Sequence, residues 1–116
     1  MNHREDAFQM AVLKLLALAY PLAIPFHVPN GGKRNAREAG RLKGLGVLAG
    51  MMDLGIIRPH GRIAWLELKA PGGTLSKSQQ ALHPRVRALG HAVHVIWDID
   101  QLVLLIAQWK QEDAHA

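Results

Sequence analysis

The sequence predicts an α/β protein in which helices pack on a mixed sheet. Three observations support this fold class. Residues 4–19 place apolar side chains at helical spacing, residues 51–58 and 62–69 have the pattern of a strand pair, and residues 91–97 form a further apolar strand. Helices and strands in this order favour a sheet covered by helices. The length of 116 residues fits one domain.

The first half of the chain combines a helix, a short strand and a basic segment. Pro21 ends the first helix. Residues 22–28 predict a short strand, which Pro25 would confine to a sheet edge. Residues 29–32 have a turn composition, and the basic residues 33–45 that follow favour a helix ending in glycines.

The second half predicts a hairpin, a helix, a strand and a closing helix. A turn at Pro59, His60 and Gly61 joins the two strands of the hairpin. Ser76 is placed to cap the next helix, in which Pro84 predicts a kink or a break. The closing helix covers residues 98–110. Its apolar face consists of Leu102, Ile106 and Trp109.

Composition excludes several classes of protein. The chain has no cysteine, which excludes disulfide frameworks, thiolate zinc sites and cysteine nucleophiles. No apolar stretch reaches the length of about 20 residues that a membrane span needs. Glu5 and Asp6 precede the first apolar run, unlike the basic start of a signal peptide. We therefore expect an intracellular, cytoplasmic protein, with a phage-encoded one included, and no membrane partner. A net charge of +5 favours nucleic acid as the partner.

Glu67 and Lys69 are the first candidates for chemistry. Residues two apart in a strand share a face, so both side chains point the same way near the end of the second hairpin strand. A carboxylate there can bind a hard cation, and a lysine can orient a water or stabilise negative charge. A simple ion pair at a strand end is the alternative interpretation.

Asp53 lies in an apolar run of the first hairpin strand. A carboxylate in such a place is costly unless it is hydrogen-bonded or bound to a metal. Asp53 precedes His60 by seven residues and Glu67 follows it by seven, so a simple register sets the two carboxylates opposite each other. A divalent cation would relieve their repulsion. The alternative is an aspartate that caps a turn after Gly50.

Two further polar residues belong to the same hypothesis. Glu5 shares a helix face with Gln9, and it either contributes to the site or stabilises the start of the first helix. Gln79 follows the lysine strand on a helix and shares the side of Leu82 and Val86, so we expect it to point inward. It would then reach the site, or be satisfied by backbone groups.

In order and spacing these residues resemble the VRR-NUC domain, the virus-type replication-repair nuclease of the PD-(D/E)XK superfamily. The resemblance covers roughly residues 5–97. The matching features are Glu5, residues 28–32, 40–43, 46–54, 65–69, 73–79 and 90–93. One departure is Met52, which stands where many relatives have the proline of the motif. That proline is a backbone feature and not a ligand, so the departure does not remove a site residue.

The resemblance implies a single free-standing domain over residues 1–116 with a restriction-endonuclease-like αβββαβ core. It implies a nuclease that needs Mg²⁺ or Mn²⁺, held by Asp53, Glu67 and the backbone carbonyl of Leu68. Lys69 would be the catalytic lysine, with Gln79 and Glu5 as further site residues. The residues expected to contact DNA are Asn30, Lys33, Arg34, Arg37, Arg41 and Lys43, unless this stretch is only a solvated helix face.

The expected substrate is branched DNA such as a Holliday junction, cut by a homodimer in repair, recombination or replication. This expectation follows from the family analogy alone. Two alternatives stay open. One is a DNA-binding module without catalysis, and the other is a nuclease that acts on flaps or single-stranded ends.

Overall fold

The structure is a computed structural model that describes residues 3–29 and 35–116. Four helices and four strands lie along these residues. In chain order they are α1 (His3–Ala19), β1 (Ile24–His27), α2 (Ala36–Gly44), β2 (Leu54–Arg58), β3 (Arg62–Leu68), α3 (Lys77–Ala88), β4 (Ala92–Ile96) and α4 (Ile99–Ala114).

The four strands form one mixed sheet in the order β1-β2-β3-β4. The pairs β1–β2 and β2–β3 are antiparallel, whereas β3 and β4 run parallel and are joined through α3. Because β3 and β4 are parallel, their carboxyl ends lie at the same edge of the sheet. The predicted fold class and the αβββαβ order are confirmed.

The hydrophobic core lies between one face of the sheet and the helices α1 and α4. Trp109, Leu102 and Ile106 of α4 are buried, as the apolar face of the closing helix predicts. They pack with Leu16 of α1 against strand residues such as Leu66. Burial of each large apolar side chain contributes about 1.5–3 kcal/mol, which makes this interface the main support of the sheet.

The predicted hairpin register is confirmed. Leu54 pairs with Leu66 and Arg58 with Arg62, so the same register brings the position before Leu54 opposite Glu67. The turn contains His60 and Gly61 at φ values of 65° and 72°. Glycine adopts this left-handed conformation freely, which explains its place in the turn.

Two features of the structure correct the prediction for physical reasons. The strand β2 begins at Leu54 and not at residue 51. Gly50 has a φ of 87°, and a Cβ atom on it would lie 2.4 Å from the backbone oxygen of Ser78, so the chain bends here against α3. The helix α3 runs through Pro84 without a break. Pro84 removes the hydrogen bond to Gln80, whose exposed position lets water satisfy the free carbonyl.

Charged residues close the end of the β2–β3 pair that carries the turn. We call Arg58, Tyr20, Trp109, Glu112 and Asp113 the turn-end network. Arg58 is 7% exposed, and its guanidinium donates to the Tyr20 hydroxyl at 3.2 Å, to Glu112 at 3.0 Å and to Asp113 at 3.3 Å. It also lies over the Trp109 ring, 5.0 Å from the ring centre. Tyr20 in turn donates to Asp113. The network therefore joins the end of α1 and the end of α4 to the sheet.

Arg62 is paired less completely at the same end. Its Nη1 lies 3.8 Å from Asp113 Oδ1 and has no hydrogen-bond partner among the described residues.

No helix within residues 3–29 and 35–116 is long and apolar enough to cross a membrane.

Candidate active site

A cleft of about 730 Å³ opens at the other end of the β2–β3 pair, where β2 begins and β3 ends. Elements from both halves of the chain contribute to its walls. The predicted site residues that line it are Glu5, Asp53, Glu67, Leu68, Lys69 and Gln79. The structure therefore brings together the whole predicted set of catalytic and metal-binding positions.

Asp53 is held by backbone groups of two strands. Its Oδ2 accepts a hydrogen bond from Leu68 N at 2.7 Å, and its carbonyl oxygen accepts one from Val28 N at 2.9 Å. His27 Nδ1 lies 3.2 Å from the same carbonyl oxygen. Asp53 therefore caps the end of β3 and not a turn after Gly50. Met52, the departure from the family motif, is fully buried.

Glu67 is a buried carboxylate. Glu67 is 2% exposed, and its Oε1 has no hydrogen-bond partner among the described residues. Burial raises the pKa of Glu67 to about 9, with further contributions from a hydrogen bond to Asp53 and from the negative charge of Asp53. Without a bound cation, the pair therefore holds a proton at neutral pH.

His83 lies behind Glu67 and was missed by the sequence reasoning. It is fully buried on α3, and its Nε2 is 3.3 Å from Glu67 Oε1, at an angle that does not make a hydrogen bond. Burial, together with the positive charge of Arg87, lowers the pKa of His83, so the ring is neutral. The Gly50 backbone opposes that shift without reaching hydrogen-bond geometry. The available signal was its position four residues after Gln79, on the same helix face.

Lys69 is oriented by Gln79. Lys69 Nζ donates to Gln79 Oε1 at 2.8 Å, and Ser76 N donates to the same oxygen at 2.8 Å. Gln79 N donates in return to Ser76 Oγ, which completes a capping box at the start of α3. Gln79 points inward as predicted. The alternative interpretation, an ion pair between the described side chains of Glu67 and Lys69, is not observed. The Lys69 ammonium is instead hydrogen-bonded to the Gln79 amide.

Glu5 and Gln9 of α1 form the opposite wall. Glu5 is exposed and lines the cleft. Gln9 Nε2 lies 3.2 Å from His27 Nδ1, which connects α1 to the end of β1. Glu5 is thus near the buried carboxylates while retaining access to solvent.

Comparison with solved structures gives one relevant likeness. A structure described as "VRR_NUC domain" superimposes with a TM-score of 0.63 at 21% sequence identity, covering 90% of this chain and 96% of the other. This chain has the VRR-NUC fold. No protein-family model and no curated protein sequence matches the chain. At this identity the likeness establishes the fold, as the resemblance predicted.

Within the VRR-NUC fold, three of the basic residues predicted to contact DNA lie on α2. Arg37, Arg41 and Lys43 are exposed on this helix, which has no buried residue. Arg41 also forms an exposed ion pair with Glu38 at 3.2 Å. Asn30, Lys33 and Arg34 lie outside the described residues.

The donor set at the cleft fits a hard divalent cation. Asp53, Glu67 and the Leu68 carbonyl supply oxygen atoms, which Mg²⁺ and Mn²⁺ prefer. Within residues 3–29 and 35–116, no three histidine, aspartate or glutamate side chains form a metal-binding group, at the cleft or anywhere else. The fit rests on the unpartnered Glu67 Oε1 and on the proton that burial and Asp53 force onto this pair, because a cation would replace that proton.

Proposed function

We propose that this protein is a divalent-metal-dependent nuclease that hydrolyses phosphodiester bonds in DNA. One observation carries the proposal. The Glu67 carboxylate is buried in the wall of an open cleft, its Oε1 has no hydrogen-bond partner among the described residues, and its burial beside a second carboxylate, Asp53, raises its pKa to about 9. Such a pair is costly for stability, and strongly perturbed groups in a cleft are typical of functional sites.

Asp53, Glu67 and the Leu68 carbonyl would hold Mg²⁺ or Mn²⁺. When bound, the cation would neutralise charge developing on the phosphate and lower the pKa of a water. The Leu68 N–H fixes Asp53 by donating to Oδ2, and the other oxygen, Oδ1, would be available to the cation. Both carboxylates are thus oriented by the end of β3.

Lys69 would orient the attacking water and stabilise negative charge on the phosphate. Its ammonium has three N–H groups, of which the bond to Gln79 uses one and leaves the others to the cleft. Gln79 is itself fixed by Ser76 N, so a neutral amide holds the Lys69 ammonium. Glu5 would act as an additional acidic residue at the rim.

The basic residues Arg37, Arg41 and Lys43 would contact the phosphate backbone. The net charge of +5 supports this role. Contacts to phosphates position DNA without reading its sequence, and binding should weaken steeply with salt. The proposed substrate is branched DNA such as a Holliday junction, and the proposed active form is a homodimer, because two sites can cut two strands symmetrically.

The test compares cleavage of labelled four-way junction, flap, linear duplex and single-stranded DNA in Mg²⁺, Mn²⁺ and EDTA. Glu67→Gln removes the charge of the buried carboxylate and keeps its shape. Glu112→Gln is the matched control, since Glu112 is a partly exposed carboxylate of the turn-end network.

Symmetric, metal-dependent cuts in the junction that Glu67→Gln abolishes and Glu112→Gln retains would support the proposal. Cutting of flaps or single strands instead would keep the chemistry and discard the junction. Tight DNA binding without cleavage in any metal would overturn the nuclease and leave a DNA-binding module.

A further inference from the structure

A second cavity lies beside the cleft and is not used by the proposed chemistry. It encloses about 320 Å³, at the small end of the range for ligand pockets. Its walls are mainly apolar and include two aromatic side chains, Phe8 of α1 and Trp97, which follows β4. Leu68, Ala70, Pro71 and Ile99 supply the rest of the apolar wall, and Glu5 also lines the pocket. We call this cavity the Trp97 pocket.

The Trp97 pocket adjoins the proposed cation site through one strand. Leu68 pairs with Ile96, and Lys69 N donates to Ile96 O at 3.0 Å, so Trp97 stands next to Lys69 at the sheet edge. Side chains alternate along β3, which turns Leu68 to the face opposite Glu67 and Lys69. Glu5 and Leu68 line both cavities. One extended ligand could therefore occupy the cleft and the pocket together.

The walls of the pocket favour a flat, uncharged ring. Trp97 is 39% exposed, and its Nε1 donates to Gly73 O at 3.4 Å, which fixes the ring plane. A phosphate is disfavoured because the charged groups of the lining, Glu5 and Asp98, are acidic. Asp98 is already engaged as the cap of α4, where it accepts from Gln101 N. Glu5 can accept a hydrogen bond from an amino group of a base.

We propose that the Trp97 pocket binds one unpaired nucleobase next to the scissile phosphate, stacked on Trp97. The inference rests on the proposed function, since it places the phosphate of the same nucleic acid in the cleft. A base inside a duplex is paired and stacked on its neighbours and must leave them to enter a pocket, at a cost that is least for a nucleotide that is already unpaired. The pocket therefore selects DNA with unpaired nucleotides at the cut, at a branch point, a flap or an end.

The test measures binding and needs no catalysis. Single-stranded and flap oligonucleotides, each carrying one abasic site at a successive position, are titrated by fluorescence anisotropy in EDTA. The proteins are the wild type, Trp97→Phe and Trp97→Leu. Trp97→Leu keeps apolar volume without an aromatic face, and Trp97→Phe restores that face. Leu104→Ala is the matched control, because Leu104 is a 72% exposed apolar residue of α4 outside the pocket.

For the wild type, we expect one abasic position to weaken binding by about 5-fold to 150-fold, the range for stacking one base on an aromatic side chain. The same position should have no effect in Trp97→Leu and a partial effect in Trp97→Phe, since removing either partner removes the same contact. Leu104→Ala should behave as the wild type. Thermal unfolding of each variant checks that the fold is retained.

Two results would overturn the inference. Abasic effects that simply add to that of Trp97→Leu would mean that no base contacts Trp97. A fall in molecular mass on sedimentation of Trp97→Leu would assign the pocket to a second copy of the chain. The outcome is separable from the proposed function: cleavage without this coupling would reject only the base pocket, and coupling without cleavage would reject only the nuclease.

Discussion

At the turn end of the β2–β3 pair, a buried guanidinium is surrounded by acceptors, whereas at the cleft end a buried carboxylate has none that satisfies its Oε1. Arg58 donates to Tyr20, Glu112 and Asp113. Glu67 is more deeply buried, and the negative charge of Asp53 raises its pKa further. Both ends belong to the same two strands, so the backbone of the sheet does not account for the difference in how the two buried charges are paired.

The difference indicates which end of the β2–β3 pair lowers the stability of the folded state. A buried charge that is surrounded by opposite charges is stabilised by groups of the protein itself and needs no ligand. A carboxylate buried beside a second carboxylate lowers the stability of the folded state, which then gains most from a ligand that binds only the folded state. The turn end is therefore interpreted as structural and the cleft end as a site prepared for a cation.

Removal of the guanidinium should have the largest effect on stability. Arg58→Met leaves Asp113 and the Tyr20 hydroxyl without their shared partner, and breaking a buried pair in this way costs about 3 kcal/mol. The low end of the usual range applies because Glu112 and Asp113 are partly exposed. Urea unfolding measures the loss. Arg41→Met, which breaks only an exposed pair with Glu38, should cost less than about 1 kcal/mol.

The same variant also tests whether the two ends are independent. At a temperature where Arg58→Met is folded, its affinity for Mn²⁺ should equal that of the wild type. A large loss of metal affinity in the folded variant would show that the turn end controls the cleft, which contradicts the comparison.

Glu67 should make the metal-free protein less stable as the pH rises. Its pKa is about 9 in the folded state and returns to about 4.5 on unfolding. Between these values the folded state binds more protons than the unfolded chain, so the free energy of unfolding falls with pH, by at most about 1.4 kcal/mol per unit. In EDTA at pH 8, Glu67→Gln should therefore be more stable than the wild type, and the difference should shrink toward pH 5. Urea unfolding at pH 5, 7 and 8.5 measures this difference.

Added Mg²⁺ or Mn²⁺ should reverse that ranking, because the cation stabilises only the wild type. Glu112→Gln provides the opposite case, since loss of its charge weakens the turn-end network and should slightly reduce stability. If the stability difference between Glu67→Gln and the wild type stays constant from pH 5 to pH 8.5, the pKa of Glu67 is not raised in the folded state.

His83 should affect the affinity for metal more than stability. Its ring lies against Glu67 and limits the positions of that carboxylate, and loss of a group that orients a metal ligand typically costs 10-fold to 100-fold in affinity. His83→Phe keeps a ring at this place and removes two nitrogens that have no hydrogen-bond partner among the described residues. Calorimetric titration with Mn²⁺ measures the affinity, and urea unfolding in EDTA measures stability.

His94→Phe is the matched control for that variant. His94 is partly buried on β4, where its ring meets Trp109 edge-on, and burial lowers its pKa as it does for His83. The substitution should leave Mn²⁺ affinity unchanged. Equal affinity for His83→Phe and the wild type would mean that His83 only fills space behind Glu67.

The sequence predicted the residues of the cleft that depend on local geometry. Seven residues on each side of His60 gave the register, strand alternation gave the shared direction of Glu67 and Lys69, and the helix pattern gave the inward position of Gln79. Each of these inferences uses spacing within one hairpin or one helix.

What the sequence could not give depends on packing between distant segments. The contact of His83 with Glu67 is set by how α3 lies on β3, and the bend at Gly50 is set by the close approach of Ser78. The turn-end network joins residues 20, 58 and 113, whose separation along the chain hides the contact. No spacing rule connects such positions before the sheet and helices are assembled.

The two capping boxes of α3 and α4 should have similar, small effects on stability and differ in their effect on cleavage. Gln79 and Gln101 occupy the same capping position, on α3 and α4, and accept from the backbone N–H groups of Ser76 and Asp98. Gln79→Ala and Gln101→Ala should each lose about 1 kcal/mol, measured by urea unfolding. Only Gln79 also accepts from Lys69 Nζ, so only Gln79→Ala should lower kcat. Equal kcat values for the two folded variants would mean that Lys69 does not need this amide, and a charge in the cleft would then require no fixed partner, in contrast to Arg58 at the turn end.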